Sequence, residues 1–216
     1  METKMKKTLI ASIVFAMLAL AMPALAGPPF TCHVFEIGSA KSLPWGATNN
    51  WLGMRDDYDF RRVVADTEAL LTPSAPTLVR METLRRASIY ASRDRAVAEQ
   101  LIAAVMSRVH TADSVTQPLA LFDAGYVVEA LSEIEQFGLS KQLAGAERVL
   151  AGITHPYEAR PLLEKSAALR PGDASIEFAL GLISRTPESE AHFRKARAGA
   201  REDALLANNL ARLQLQ

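Results

Sequence analysis

From about residue 56 onward, apolar positions recur every three to four residues, and prolines, glycines and short polar runs interrupt them. That period predicts a succession of helices. The first starts near Asp56, buries Tyr58, Val63 or Val64, and Leu70 or Leu71, and stops at Thr72-Pro73-Ser74. Ser74 is placed to cap the second, with Pro76 in a first turn where its missing N–H is harmless. Leu78, Met81, Leu84 or Arg85, and Ile89 form that helix's inner face. Ser92-Arg93-Asp94 restarts the chain as a helix ending near His110, with Val97, Leu101, Val105 and Val109 at four-residue steps. After the polar link Thr111–Thr116, Pro118 opens a helix that buries Leu121, Val127 or Val128, Leu131 and Ile134. It ends at Phe137-Gly138, a left-handed glycine stop. Five more helices are expected at about 140–151, 156–170, 173–184, 187–198 and 201–214, with Pro156, Pro171-Gly172 and Pro187 at the breaks. Short helices with short breaks predict an all-α fold of antiparallel helical hairpins, either a regular superhelix or an irregular bundle.

Residues 27–52 do not share this period. Gly27, Pro28, Pro29, Gly38 and Pro44 interrupt them, and both tryptophans, Trp45 and Trp51, fall here. They read as an extended arm with turns near Gly38 and Pro44–Gly46. Phe30, Phe35, Trp45 and Trp51 are costly to leave in water, so the arm should lie against the helical body or a partner. Residues 53–216 then form a single helical domain.

Residues 1–26 have the order of a secretory signal peptide. Lys4, Lys6 and Lys7 precede an uncharged apolar run from Leu9 to Met22, and Ala24-Leu25-Ala26 offers a small-x-small cleavage site. The run is short for a membrane span. Gly27 stands where a lipoprotein needs cysteine. The reading is an exported chain, periplasmic or extracellular, with no integral membrane span after leader cleavage. The full chain balances 24 basic against 24 acidic residues. Three lysines and Glu2 leave with the leader, so the remainder is slightly acidic and shows no basic run for a nucleic acid. Cys32 is alone and rules out an intramolecular disulfide. It is left to pair between chains, meet a thiol partner, or be buried as a small hydrophobe.

The stretch from Glu158 to Asp173 carries a further pattern. Ala159, Leu163, Ser166 and Pro171 follow the spacing small, large apolar, small, closing proline. Ile176, Ala179 and Leu180 fit the helix that would follow, and Phe193 and Ala196 fit a second closing helix. Over about residues 140–214 the chain resembles the tetratricopeptide repeat, a helix-turn-helix unit with a period of 34 residues. Its link between closing helices is shorter than the standard unit by about three residues, and the aromatic anchor of the family's first helix is missing. The resemblance implies a concave surface that takes peptides or proteins. Small residues let paired helices approach closely, and an unpaired repeat edge leaves homo-oligomerisation open.

Motifs for chemistry are sparse. Cys32-His33 invites a metal or thiolate reading, but neighbours in an extended chain point to opposite faces. A haem attachment needs a second cysteine where Pro29 stands, and zinc needs ligands as distant as His110, His155 or His192. Gly38-Ser39-Ala40-Lys41-Ser42 has a phosphate loop's lysine and serine without its glycine spacing. Arg55-Asp56-Asp57-Tyr58-Asp59-Phe60-Arg61-Arg62 suits a capped, solvated first turn. No serine elbow, HExxH or paired CxxC motif occurs. Catalytic, metal and cofactor roles are therefore assigned to no residue. Cys32, His33, Phe35, Lys41, Trp45, Trp51 and Arg55 remain as candidate ligand or partner contacts. The expected function is a noncatalytic adaptor or scaffold for a protein or peptide partner. The alternative is an enzyme or small-ligand protein with a pocket between the arm and the first helices.

Overall fold

The computed structural model describes residues 30–46, 51–138 and 143–213; residues 1–26, expected to be a signal peptide, lie outside them. Among the described residues there are nine helices and no strand. They are α1 (Val63–Leu70), α2 (Thr77–Ala91), α3 (Arg95–Thr111), α4 (Gln117–Phe137), α5 (Ala146–Leu150), α6 (Ala159–Leu169), α7 (Ala174–Ile183), α8 (Glu188–Gly199) and α9 (Ala204–Leu213). The fold is all-α.

Local chemistry sets most boundaries. Asp94 accepts hydrogen bonds from the amides of Ala96 and Val97, and Asp173 from those of Ser175 and Ile176, so α3 and α7 start with capped first turns. Gly138 ends α4 at φ 57°, where a side chain would be strained. Three starts differ from expectation. The first helix begins at Val63 and not near Asp56, because Asp59 accepts from the Arg61 amide and opens a 3-10 turn, Phe60–Arg62. A short acid that bonds its own backbone competes with helix at that point. Ser74 does not cap α2: its hydroxyl shares a hydrogen bond with Thr72, and Pro76 itself is the extended cap residue. The helix expected at 140–151 is reduced to Ala146–Leu150, entered from Gly145 at φ 95°; residues 139–142 are not described.

Helix α4 is central and packs against α2, α3, α5 and α6. Its contact with α6 is close. A β-carbon on Gly125 would lie 2.7 Å from Leu163 Cγ and 2.8 Å from the Ala159 carbonyl oxygen. Ser166 donates to the Pro118 carbonyl (2.7 Å), so the two helices run antiparallel. The pair α7–α8 repeats the device. A β-carbon on Gly181 would lie 2.7 Å from the Phe193 ring, and Ser189 donates to the Gly181 carbonyl. In both pairs a glycine on the first helix lets a large side chain of the second lie across its backbone.

Helix α2 has no polar side. Arg80, Glu82 and Arg85 are buried with the apolar residues, and Arg86 alone keeps partial exposure. It packs against α1, α3, α4 and α7, so every direction is covered. Its charges are met inside. Arg80 pairs with Asp123 of α4 at 2.6 Å, and Arg108 of α3 reaches the same carboxylate at 3.6 Å. Arg80 also donates to the Ala75 and Thr72 carbonyls, tying α2 to the turn before it. Burial pushes Asp123 up to about 6 against the pull of Arg80 and Arg108.

Residues 30–46 open with a 3-10 turn, Phe30–Cys32, and contain no further helix. Burial alternates: Thr31, His33 and Phe35 are buried, whereas Cys32, Val34 and Glu36 are half-buried. Phe30 meets Tyr126 of α4 edge-on at 5.0 Å, and Phe35 meets Phe178 of α7 edge-on at 6.0 Å. Gly38–Lys41 is an exposed turn, after which Leu43 is buried again.

Candidate functional site

The most elaborated polar region is the seam between helices and residues 30–46 and 51–55. On α2, Glu82 accepts from the Phe35 amide (3.1 Å) and forms a two-pronged pair with Arg85, 2.8 Å on each side. Arg85 donates onward to the Thr31 carbonyl (3.2 Å) and the Trp51 carbonyl (2.9 Å). Arg86, paired with the same Glu82 at 2.7 Å, donates to the Leu43 carbonyl at 2.7 Å. Thr83 shares a hydrogen bond with Ser42. Tyr90 donates to the Pro44 carbonyl and accepts from the Arg55 amide. Helical spacing explains the set: residues 82, 83, 86 and 90 follow the three-to-four step along one side of α2.

Two further helices complete it. Glu133 of α4 accepts from the Phe30 amide (2.9 Å), the Thr31 amide (3.0 Å) and the Thr31 hydroxyl (2.9 Å). Asn209 of α9 holds Glu36 twice: its carbonyl oxygen accepts from the Glu36 amide (2.8 Å), and its NH2 donates to the Glu36 carbonyl (2.9 Å). Arg212 pairs with the Glu36 carboxylate at 3.0 Å. Most of these bonds end on main-chain atoms. The helical body grips an extended backbone, and aromatic contacts receive its side chains.

The residues singled out from the sequence lie along the gripped segment; Trp45, Trp51 and Arg55 meet around Arg85 and Tyr90 of α2, and the other four are spread along the chain. Cys32 is half-buried; burial, then the Glu133 charge, pushes its thiol up to about 11 against the pull of Arg85. It is therefore a protonated thiol at neutral pH, without thiolate character. His33, directly after it, is buried. Phe35 is seated on Phe178. Lys41 is exposed in the Gly38–Lys41 turn. Trp45 stands edge-on to Tyr90 at 5.5 Å, with the guanidinium groups of Arg85 and Arg86 over its ring at 5.2 and 5.5 Å. Trp51 is half-buried and supplies the carbonyl that Arg85 binds. Arg55 is exposed and paired with Asp57. Among the described residues no group of three or more His, Cys, Asp or Glu is arranged to hold a metal ion.

One carboxylate stands apart. Glu129 lies one helical turn before Glu133 on α4, half-buried and without an ion pair among the described residues. Burial, then the Glu133 charge, pushes it up to about 7. Glu133 is itself raised by burial, although the Thr31 and Phe30 hydrogen bonds pull it down.

Apart from Arg85, which the spacing offers as an inner-face position, the gripping residues Glu82, Arg86, Glu133 and Asn209 are not distinguishable in the sequence from solvated polar groups. One signal is present: Glu82 stands three and four residues before two arginines, in a helix whose apolar positions leave no polar face. Comparison with protein-family models, curated proteins and solved structures gives no match. No helix of the described residues is long and apolar enough to cross a membrane.

Proposed function

We propose that this chain is an exported, noncatalytic helical adaptor that binds a protein or peptide partner as an extended segment. The observation that carries this reading is the seam itself. Glu82, Arg85, Arg86, Tyr90, Glu133 and Asn209 all engage main-chain atoms of residues 30–46, which open with a 3-10 turn and hold no further helix. Main-chain hydrogen bonds give affinity without regard to sequence, and side-chain pockets add selectivity. The C-terminal half is read as tetratricopeptide-like. In support, Ala159, Leu163 and Ser166 are buried, with Gly125 close against Ala159 and Leu163, and Ala196 is buried one pair further on. Export rests on the order of charge, apolar run and small residues in residues 1–26.

The alternative, a catalytic or small-ligand pocket beside the arm, is favoured by charged groups converging around Trp45 and Trp51. Arg85 and Arg86 do flank the Trp45 ring, but both are held by Glu82 and by carbonyls of residues 31, 43 and 51. Selection of a displayed random-peptide library against the leaderless protein tests the adaptor reading. Enrichment of linear peptides that bind the purified protein supports it. A library that yields no binder, from a protein shown to be folded, sinks it.

A further inference from the structure

Residues 30–46 are anchored as two separate halves. The first, Phe30–Glu36, bridges α2, α4, α7 and α9 through Glu82, Arg85, Glu133, Phe178, Asn209 and Arg212. The second, Ser42–Gly46, is fixed to α2 by Thr83, Arg86 and Tyr90, and Gly46 donates to the Gly53 carbonyl at 2.6 Å. Between them lies the exposed turn Gly38–Lys41, with Gly38 at φ 59° and an Ala40 amide bond to the Ile37 carbonyl at 3.2 Å. A turn of this kind absorbs a large backbone change at one end without disturbing the other. The first half therefore has a hinge, and the second half has its own anchors.

We propose that Phe30–Glu36 is an exchangeable internal plug: it occupies a peptide groove in cis and leaves when a partner's extended segment takes its place. This inference rests on the peptide-binding reading above and names both the ligand and its regulation. The seated plug defines the ligand's chemistry. Its first and sixth residues are aromatic and rest on Tyr126 and Phe178. The amides of its first, second, sixth and seventh residues are all taken, so a ligand has no proline at those positions. Its seventh residue is acidic and meets Arg212. The partner segment is thus a stretch that opens with a tight turn and continues without helix, with two large aromatic residues five apart and a carboxylate directly after the second. A cis occupant lowers apparent affinity by the fraction of time the groove is free, so weakening the plug strengthens binding in trans.

The test uses the full leaderless chain and the labelled peptide Phe-Thr-Ser-His-Val-Phe-Glu, the plug sequence with serine for the cysteine. Two plug variants are compared with wild type by fluorescence anisotropy, after circular dichroism has shown each to be folded. Phe35→Ala removes an anchor ring, and Glu36→Pro removes the amide that Asn209 holds without touching the core. Both should bind the peptide about ten-fold or more tightly than wild type. Adding Asn209→Leu should reverse that gain, as should replacing both aromatic residues of the peptide by alanine. A folded Glu36→Pro variant with no gain overturns the proposal, and so does a gain that survives Asn209→Leu. A wild-type dimer that forms with concentration and is lost in Glu36→Pro would overturn the choice of occupant in favour of a second copy. Library-selected peptides that bind wild type and Glu36→Pro/Asn209→Leu equally would sink the plug and leave the adaptor reading standing.

Discussion

The seam along α2 and the two glycine contacts, α4–α6 and α7–α8, hold parts of one small fold by opposite means. In the seam, buried carboxylates and guanidinium groups take main-chain atoms in a fixed order, so each contact is directional and sets a register. At the glycines, large side chains lie across bare backbone, so the contact sets only a distance between helices. The difference predicts how each fails. A seam residue, once removed, leaves a buried charge behind, whereas a filled glycine contact produces a steric overlap that its neighbours either relieve or do not.

The largest expected effect is at Glu82. Glu82→Ala strips Arg85 of its two-pronged partner while Arg85 stays buried, and should cost about 3–5 kcal/mol in chemical denaturation. A loss under about 1 kcal/mol would mean that Arg85 reaches water and the seam is not sealed. Next come the glycines. Alanine in a helix interior gains about 1 kcal/mol over glycine from propensity alone. At Gly125 that gain meets a backbone oxygen 2.8 Å from the new β-carbon, so Gly125→Ala should be net destabilising by about 1–3 kcal/mol. At Gly181 the obstacle is the half-buried Phe193 ring, which can turn. Gly181→Ala should therefore stay within about 1 kcal/mol of wild type. Equal losses at the two positions would erase the distinction between them.

A pH titration sharpens the comparison from the polar side. Glu129 titrates at about 7 in the folded chain against an ordinary 4.5. Between those values the folded state holds a proton that the unfolded state has released, so stability falls as pH rises from 4.5 to 7 and levels off above. Glu129→Gln should abolish that slope, match wild type below pH 4.5, and melt higher above pH 7, by on the order of 1–3 kcal/mol. An unchanged slope would place the titration elsewhere. A small effect, no larger than that at Gly125, concerns a helix end away from both regions. Asp94→Ala removes two capping hydrogen bonds from α3 and should cost about 1 kcal/mol.

The helices were legible because their chemistry is local. Leu101 and Val105, one turn apart, are both buried; Pro118 opens α4, and Gly138 stops it, as periodicity and backbone preference require. Phe30 and Phe35 were legible as buried because their apolar area admits little else. The seam was not legible. Glu82 and Phe35 are 47 residues apart, Glu133 and Phe30 are 103, and Asn209 and Glu36 are 173, so nothing near a charged residue announces its partner. All seven candidate contacts came from the bound segment and none from the surface that binds it. Gly125 carries no local signal for a related reason: the residues leading to and through α5 separate it from α6, so the two helices are not joined by the short turn a hairpin predicts. The start of α1 was misplaced because three aspartates near Asp56 promise a helix, while Asp59 serves a tighter turn.

The bond between Glu36 and Asn209 also orders events in time. A ribosome delivers residue 36 long before residue 209, so the segment Phe30–Glu36 exists through the synthesis of the next 173 residues without the Asn209 contact that holds it. Helices α2 to α4 can assemble from near neighbours, whereas this closure spans 173 residues of chain and comes late by loop entropy as well as by the order of synthesis. The Glu36 end of the segment is thus made early and fixed late, whereas Phe30 can settle on Tyr126 once α4 is made. Through that interval Phe35, which waits for Phe178, stays open to any other chain that offers it an aromatic contact.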